Sequence, residues 1–453
     1  MLVSTIIVGL TCLAMILFVL FKPQFKFGKL CLDSYWIIVL LGALIIICSG
    51  LVDLSFLVNS LTQDSSINPL KILVLFISMT VLSIFLDEVG FFRYLANLTL
   101  KKAKGSQMKL FTTLYIVVSV LTVFTSNDII VLTFTPFICY FAKNAKINPL
   151  PYLIAEFIAA NTMSMTLIIG NPTNIYIATA YGINFLEYLK IMFLPTLAST
   201  LISYLILWLI FRKQLKTPAE ANVEDIKIEN KPYLVIGLIH LSVCTVALAI
   251  GPYVGLDMWI ISFVSAISLF VCLGILNFIK LIRRKKESSC ETQESACDEQ
   301  QAKSSPILSC LRRAPWQLIP FVLSMFVMIL ALQEHGVTQK INALLGSENV
   351  ILKYGVTSFL SANLINNIPM SVLFCPIMQS LTGASLTGAI YATIVGSNLG
   401  ALLTPIGALA GIMWTSMLKK HEVKLSYLNF IKYGVLISIP SLAANLAMLA
   451  LIL

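Results

Sequence analysis

Charge is the first thing this chain lacks. Asp, Glu, Lys and Arg make up 11% of its 453 residues, against 58% hydrophobic residues, whereas soluble domains run at about 25% charged. A chain so poor in ionised groups cannot cover a globular surface with them, which excludes a water-soluble domain. Histidine is scarcer still: His240, His335 and His421 are too scattered to form a metal cluster. The ten cysteines lie mostly inside apolar runs, which excludes an extracellular disulfide scaffold. The net charge of +10 sits in short loops between those runs, which excludes a nucleic-acid partner. No G-x-x-x-x-G-K-[ST] loop, H-E-x-x-H or G-x-S-x-G occurs. The chain thus has no nucleotide-driven engine of its own and no visible enzymatic constellation.

What it has in quantity is apolar run, with a mean hydropathy of +0.91. A membrane span needs about 20 mainly apolar residues, and such runs occur near 3–21, 36–57, 70–87, 185–211, 233–251, 258–280, 316–333 and 428–452. Four further regions are apolar but interrupted. Residues 110–142 are broken at Ser126-Asn127-Asp128, and 350–378 at Asn363-Leu364-Ile365-Asn366-Asn367. Residues 152–180 are broken at Gly170-Asn171-Pro172-Thr173-Asn174, and 386–414 at Thr404-Pro405-Ile406-Gly407. Non-helical backbone at membrane depth survives only where protein or a water-filled cavity surrounds it, so all four breaks belong inside the bundle.

If 110–142 and 350–378 are hairpins that enter and leave by one face, 27 of the 31 Lys and Arg fall on one side. Lys71, Lys190, Lys340 and Lys353 fall on the other. The positive-inside rule then predicts ten spans plus two re-entrant hairpins in the plasma membrane, both termini outside and the polar 280–315 stretch a mobile cytoplasmic linker. The first run, with its first basic residue (Lys22) behind it, reads as a retained helix rather than a secretory signal. The linker holds Cys290, Cys297 and Cys310, whose spacing is too loose for a metal site.

The halves also match each other. Leu86-Asp87-Glu88-Val89-Gly90 returns as Leu332-Gln333-Glu334-His335-Gly336, Asn127 to Pro136 as Asn367 to Pro376, and Asn161 and Gly170, nine apart, as Asn398 and Gly407. The chain therefore divides into N-terminal helices (1–69), a first repeat (70–211), connecting helices with the linker (212–315) and a second repeat (316–453). An odd number of crossings between copies makes the repeat inverted. That all-α architecture of two inverted repeats with broken helices belongs to secondary transporters, whose substrate site lies near the midplane.

Helix breaks leave backbone N–H groups and a positive dipole end facing the cavity, while Asn side chains and carbonyls suit cations or neutral polar solutes. The candidate site set is Ser126, Asn127, Asn161, Gly170, Asn171, Thr173, Asn174, Asn366, Asn367, Asn398, Thr404 and Gly407. Asp128 is the outstanding ionisable group, expected as the proton-coupling site, with Na+ as the alternative ion; its second-repeat counterpart is Ile368. A capping role for Asp128 stays open beside it. Glu156 reads as a snorkelling or backbone-paired residue, with a second titratable site as the alternative, and Glu88, Glu334 and His335 as interfacial.

The runs Thr125-Ser126-Asn127-Asp128, Gly170-Asn171-Pro172-Thr173-Asn174, Asn366-Asn367-Ile368-Pro369 and Gly396-Ser397-Asn398-Leu399-Gly400 to Thr404-Pro405-Ile406-Gly407, continued by Trp414, resemble the ion transporter superfamily. Over roughly 30–453, and most of all in the second half, the chain is similar to the arsenite efflux permeases. The resemblance implies a permease that exports arsenite or antimonite in exchange for protons, with no cofactor, and in some members with a partner ATPase. The Gly-Asn-Pro-Thr-Asn break is more like citrate, anion and sodium/proton members, which keeps a sodium/proton antiporter or a citrate, dicarboxylate or sulfate transporter as alternatives. The expected partners are a small ion and the lipid bilayer; a homodimer stays open.

Overall fold

Inside a bilayer no water is at hand to satisfy backbone polar groups, and the described residues are helical almost throughout. The structure, a computed structural model, describes residues 1–27, 30–63, 68–103, 105–218, 228, 230–288 and 306–453. The first half runs α1 (Leu2–Phe21), a two-stranded hairpin (Gln24–Phe27 and Leu30–Asp33), α2 (Ser34–Cys48), the short α3 (Leu54–Thr62) and α4 (Pro69–Glu88). It continues with α5 (Phe91–Ala103), the hairpin arms α6 (Gln107–Phe124) and α7 (Asn127–Asn144), the broken pair α8 (Leu150–Met163) and α9 (Pro172–Ala180), and α10 (Phe185–Phe211).

The second half repeats this order. It has α11 (Lys231–Ile250), α12 (Met258–Ser288), the short α13 (Pro306–Arg313), α14 (Leu318–Glu334) and α15 (Val337–Leu345). The hairpin arms α16 (Val350–Ile365) and α17 (Asn367–Met378), the broken pair α18 (Gly383–Gly400) and α19 (Leu409–Lys420), and α20 (Tyr427–Ile452) follow. Eight stretches of described helix are long and apolar enough to cross a membrane, while α2, α16 and α17 are shorter apolar helices. The chain is a multi-pass membrane protein.

The inversion of the repeat is visible in two hydrogen bonds. Ser203 Oγ lies 2.7 Å from Ser441 Oγ, and Asn445 Nδ2 donates to Ser199 Oγ at 3.1 Å. Residue numbers rise along α10 as they fall along α20, so the two helices are antiparallel. Ser203 and Ser441 are 238 apart, close to the offset between the repeats, so matching turns of the two helices meet near the pseudo-two-fold axis.

The helix pairs that precede each repeat are exchanged. α1 and α2 precede the first repeat but pack on α14 of the second, and α11 and α12 precede the second but pack on α4 of the first. Within the second repeat, α16 and α18 pack backbone to backbone: a Cβ on Gly396 would lie 2.4 Å from the Gly355 carbonyl oxygen. Helices in lipid gain their association from such close van der Waals approach.

Two expectations need correction. The run 36–57 is not one span: α2 stops at Cys48, Gly50 turns the chain at a φ of +63°, and Asp53 restarts it by accepting from the Ser55 N–H at 2.8 Å. The 280–315 stretch is partly helical, because α12 runs on to Ser288 and α13 begins at Pro306. Cys290 and Cys297 lie outside the described residues, and Cys310 is buried on α13. The end of α13 is tied down by Arg313, which donates to Glu88 Oε1 at 2.5 Å and to Asp87 Oδ2 at 2.6 Å. Glu334, the counterpart of Glu88, accepts instead from the Asp53 N–H at 3.2 Å.

Candidate functional site

The four breaks converge. Half-helices α7 and α19, one from each repeat, pack side by side, and so do α9 and α17. All four begin at a break. α7 and α19 run toward the face that carries Lys143, Lys419 and Lys420 at their last turns.

At the first hairpin tip, Thr125 is extended and α7 starts after Ser126, whose hydroxyl reaches only Asn127 Oδ1 at 3.5 Å. Asn127 accepts from the Asp128 N–H at 3.0 Å and donates through Nδ2 to Asn161 Oδ1 at 3.0 Å. Asp128 caps nothing with its carboxylate. Among the described residues that carboxylate has neither a hydrogen bond nor an ion pair within the protein, and the residue is half-buried.

The first break folds the way its sequence demands. Pro172 opens α9, where a missing N–H does no harm, and Asn171 caps it by accepting from the Thr173 N–H at 3.2 Å and the Thr173 hydroxyl at 3.1 Å. Gly170 is required by crowding, since a Cβ there would lie 2.2 Å from the Ser164 carbonyl oxygen. Asn174 Nδ2 donates to the Ser164 carbonyl at 2.8 Å and the Leu167 carbonyl at 3.2 Å, satisfying acceptors that the break exposes.

Asn398, from the other repeat, holds this break together. Its Oδ1 accepts from Asn171 Nδ2 at 2.9 Å and from the Ser164 hydroxyl at 3.1 Å; its Nδ2 donates to Asn174 Oδ1 at 2.7 Å and to the Ile394 carbonyl at 2.8 Å. Every site on that amide is filled. Asn161 likewise spends its Nδ2 on the Phe157 carbonyl at 2.8 Å and its Oδ1 on Asn127.

The second tip and second break form their own cluster. Asn366, at a φ of +73°, caps α17 at the Ile368 N–H and donates to the Ile406 carbonyl at 2.9 Å. The Asn367 N–H donates to the Gly407 carbonyl at 3.0 Å. The Thr404 hydroxyl donates to Asn363 Oδ1 at 2.7 Å, and Asn363 Nδ2 donates to the Gly400 carbonyl at 3.0 Å. Among the described residues the Asn367 side chain, although buried, makes no hydrogen bond.

Two of the four half-helices are therefore capped by asparagine and two are not. Asn171 caps α9 and Asn366 caps α17, whereas α7 has Ser126 and α19 has Ala408 at that position, neither of whose side chains bonds the helix N-terminus. In this second pair the Asp128 N–H of α7 is met by Asn127 Oδ1 and the Gly411 N–H of α19 by the Ala408 carbonyl, and the other first-turn N–H groups are the open donors of the site among the described residues. Beside them stand the unpaired Asp128 carboxylate and the unpaired Asn367 amide. No Lys, Arg or His occurs at any of the four breaks.

Asn363 and Ser164 belong to these clusters and were not among the expected site residues. Asn363 had a signal, its place four residues before Asn367 in the same polar break. Ser164 had none. Glu156 is a correction: it does not snorkel but is fully buried, with the Thr135 hydroxyl 3.0 Å from both carboxylate oxygens.

The arsenical pump membrane protein of Escherichia coli (strain K12) is 27% identical over 402 residues, covering 83% of this chain and 85% of that one. The putative arsenical pump membrane protein of Bacillus subtilis (strain 168) is 24% identical over 426 residues, covering 87% and 89%. The solved YdaH transporter of Alcanivorax borkumensis, described as having an unusual topology, shares the fold, with a TM-score of 0.55 at 12% identity over 99% of this chain and 97% of that one. The sequence profile of the citrate transporter family matches residues 15–390, most of the chain's length, and the protein belongs to that family of membrane transporters.

Proposed function

We propose that the protein exports arsenite or antimonite across the plasma membrane by alternating access, in exchange for protons taken up at Asp128. The observation that carries this reading is the pair of uncapped N-termini on α7 and α19 beside an unpaired carboxylate and an unpaired amide, with no cation at any break. Arsenite at neutral pH is a small neutral molecule with three hydroxyls. Each hydroxyl accepts from a helix N–H or an amide and donates to a carbonyl or carboxylate, so the cradle meets its needs without a buried positive charge. A multivalent carboxylate set here would want Lys or Arg, or co-bound sodium. The arsenical pump relatives support the substrate class.

Asp128 has the location and freedom of a coupling group. An intramembrane carboxylate is costly to keep charged and functional by default. It stands at the head of α7, so any movement of the first hairpin changes its access to water. In this reading the Lys143 face is cytoplasmic, the Lys71 face and both termini are outside, and a proton gradient suffices without a cofactor. A partner ATPase or a homodimer would add to this cycle rather than replace it. A second reading, sodium- or proton-coupled transport of citrate, dicarboxylate or sulfate, or sodium/proton antiport, is favoured by the family to which the profile belongs.

Flux in proteoliposomes under an imposed proton gradient separates the two. Arsenite moving against protons, lost in Asp128→Asn with the protein still folded and inserted, is the expected result. Inert arsenite with movement of sodium or citrate establishes the second reading, and proton coupling that survives Asp128→Asn removes Asp128 from the mechanism.

A further inference from the structure

Glu156 is the one fully buried carboxylate among the described residues, and the transport scheme above does not use it. It lies on α8, between the hairpin arm α7 and the half-helix α19. Thr135 of α7 gives it its hydrogen bonds, through a hydroxyl 3.0 Å from both oxygens. The next residue, Phe157, stacks on Trp414 of α19 at 4.9 Å, and the Trp414 indole is turned toward the Glu156 carboxylate.

The neighbouring elements bring no cation to it. Lys109 of α6, Lys143 of α7, Lys419 and Lys420 of α19 and Lys432 of α20 are exposed, and none pairs with Glu156. The nearby tyrosines spend their hydroxyls elsewhere: Tyr115 of α6 on the Thr200 carbonyl, Tyr152 on Gln107, Tyr188 of α10 on the Met165 carbonyl, and Tyr204 of α10 on Thr112. Tyr391 of α18 rests its ring against Tyr188, and Tyr433 of α20 rests against Phe211. Cys139 lies one turn beyond Thr135 on α7 and is buried.

Two side-chain rungs tie α7 to α8: Asn127 to Asn161 at 3.0 Å and Thr135 to Glu156 at 3.0 Å. Numbers rise along α7 as they fall along α8, so the helices are antiparallel, and Thr135 lies about 10 Å along the axis from Asp128. The two carboxylates are thus separate positions on one hairpin interface. Their second-repeat counterparts are Ile368 for Asp128 and Thr393 for Glu156, so both ionisable groups of the transport core belong to the first repeat.

We propose that Glu156 is a second proton-exchange site of the transport cycle, loaded and unloaded as α7 docks on and lifts from α8. The inference rests on the proton-coupled reading above. Docked, Glu156 is sealed from water against Thr135 and the Trp414 indole; undocked, it loses the Thr135 hydroxyl and gains solvent. A carboxyl that alternates between two such surroundings changes its affinity for a proton with each swing, and the proton passes between its oxygen and water at the open face. Docking and proton occupancy are thereby one equilibrium.

Purified protein in proteoliposomes, with arsenite as the probe and an internal pH dye, gives the number of protons moved per arsenite. Glu156→Gln is expected to move one proton fewer per arsenite while arsenite exchange at equal concentrations on both sides continues. Thr135→Val, which leaves the carboxyl in place without its partner, is expected to shift the pH of half-maximal flux, and it serves if the Gln variant does not fold. A wild-type ratio in Glu156→Gln, or an unshifted pH profile in Thr135→Val, overturns the proposal and leaves the reading of Asp128 standing. Arsenite flux in the wild type without any proton movement overturns both.

Discussion

Removing the Asn398 side chain separates the residues that hold the site from those free to bind a ligand. Asn398→Ala deletes three hydrogen bonds between helical segments, to Ser164, Asn171 and Asn174. Interhelical bonds in membrane proteins average about 0.6 kcal/mol each, so their loss comes to roughly 2 kcal/mol. Asn171 Nδ2 and Asn174 Oδ1 are left without these partners in a buried site, which adds to the cost. Asn367→Ala is the matched comparison: among the described residues its amide makes no hydrogen bond, so no interhelical bond is lost with it and the stability cost is expected to be small beside that of Asn398→Ala. Thermal unfolding in detergent, followed by size-exclusion recovery, reads the stability of both variants, and vesicle flux reads their transport. The expected outcome is a lowered midpoint for Asn398→Ala and, for Asn367→Ala, a wild-type midpoint with weakened substrate affinity. A wild-type midpoint in Asn398→Ala would refute the view of that residue as the staple between repeats. A destabilised Asn367→Ala would refute its place in the cradle.

Two further outcomes follow from the geometry. Gly170→Ala puts a Cβ 2.2 Å from the Ser164 carbonyl oxygen, so the first break must open and flux is expected to collapse; a fully active variant, assayed in the same vesicles, would show that the break does not need this close approach. On the opposite face, Lys71 bonds Asp257 at 3.1 Å and holds its carboxyl below the usual carboxylate range. The stabilisation from that pair is present above the unfolded pKa and is lost as pH falls through the native one. Amide hydrogen exchange of the 251–257 turn should accordingly quicken in acid, beyond the intrinsic pH effect; unchanged protection refutes the pairing as a closure of that turn.

The sequence made the long helices legible because a span is a matter of length and hydropathy, and 185–211 coincides with α10. The breaks were legible because Asn, Gly and Pro clustered in apolar surroundings have few other uses. The split between α2 and α3 was not, since Ser49-Gly50 is a small interruption whose effect depends on the positive φ that Gly50 adopts. Glu156 was misjudged because a carboxylate in an apolar run looks the same whether it reaches the surface or faces Thr135 on another helix. Local sequence likewise offers no sign that Asn398 closes the first break, because the contact spans 224 residues to Asn174.

The exchange of the leading helix pairs bears on how the molecule is made. A ribosome that has finished α10 has produced every element of the first repeat, but the face of α4 that packs on α11 and α12 is still uncovered. Meanwhile α2 waits in the lipid through about 270 residues of synthesis for α14 to appear. Neither half can mature by itself, and the two close over each other like clasped hands. Halves expressed apart should be short-lived, and halves expressed together should find each other without a covalent link, so the connection between them is free to serve purposes other than holding the protein together.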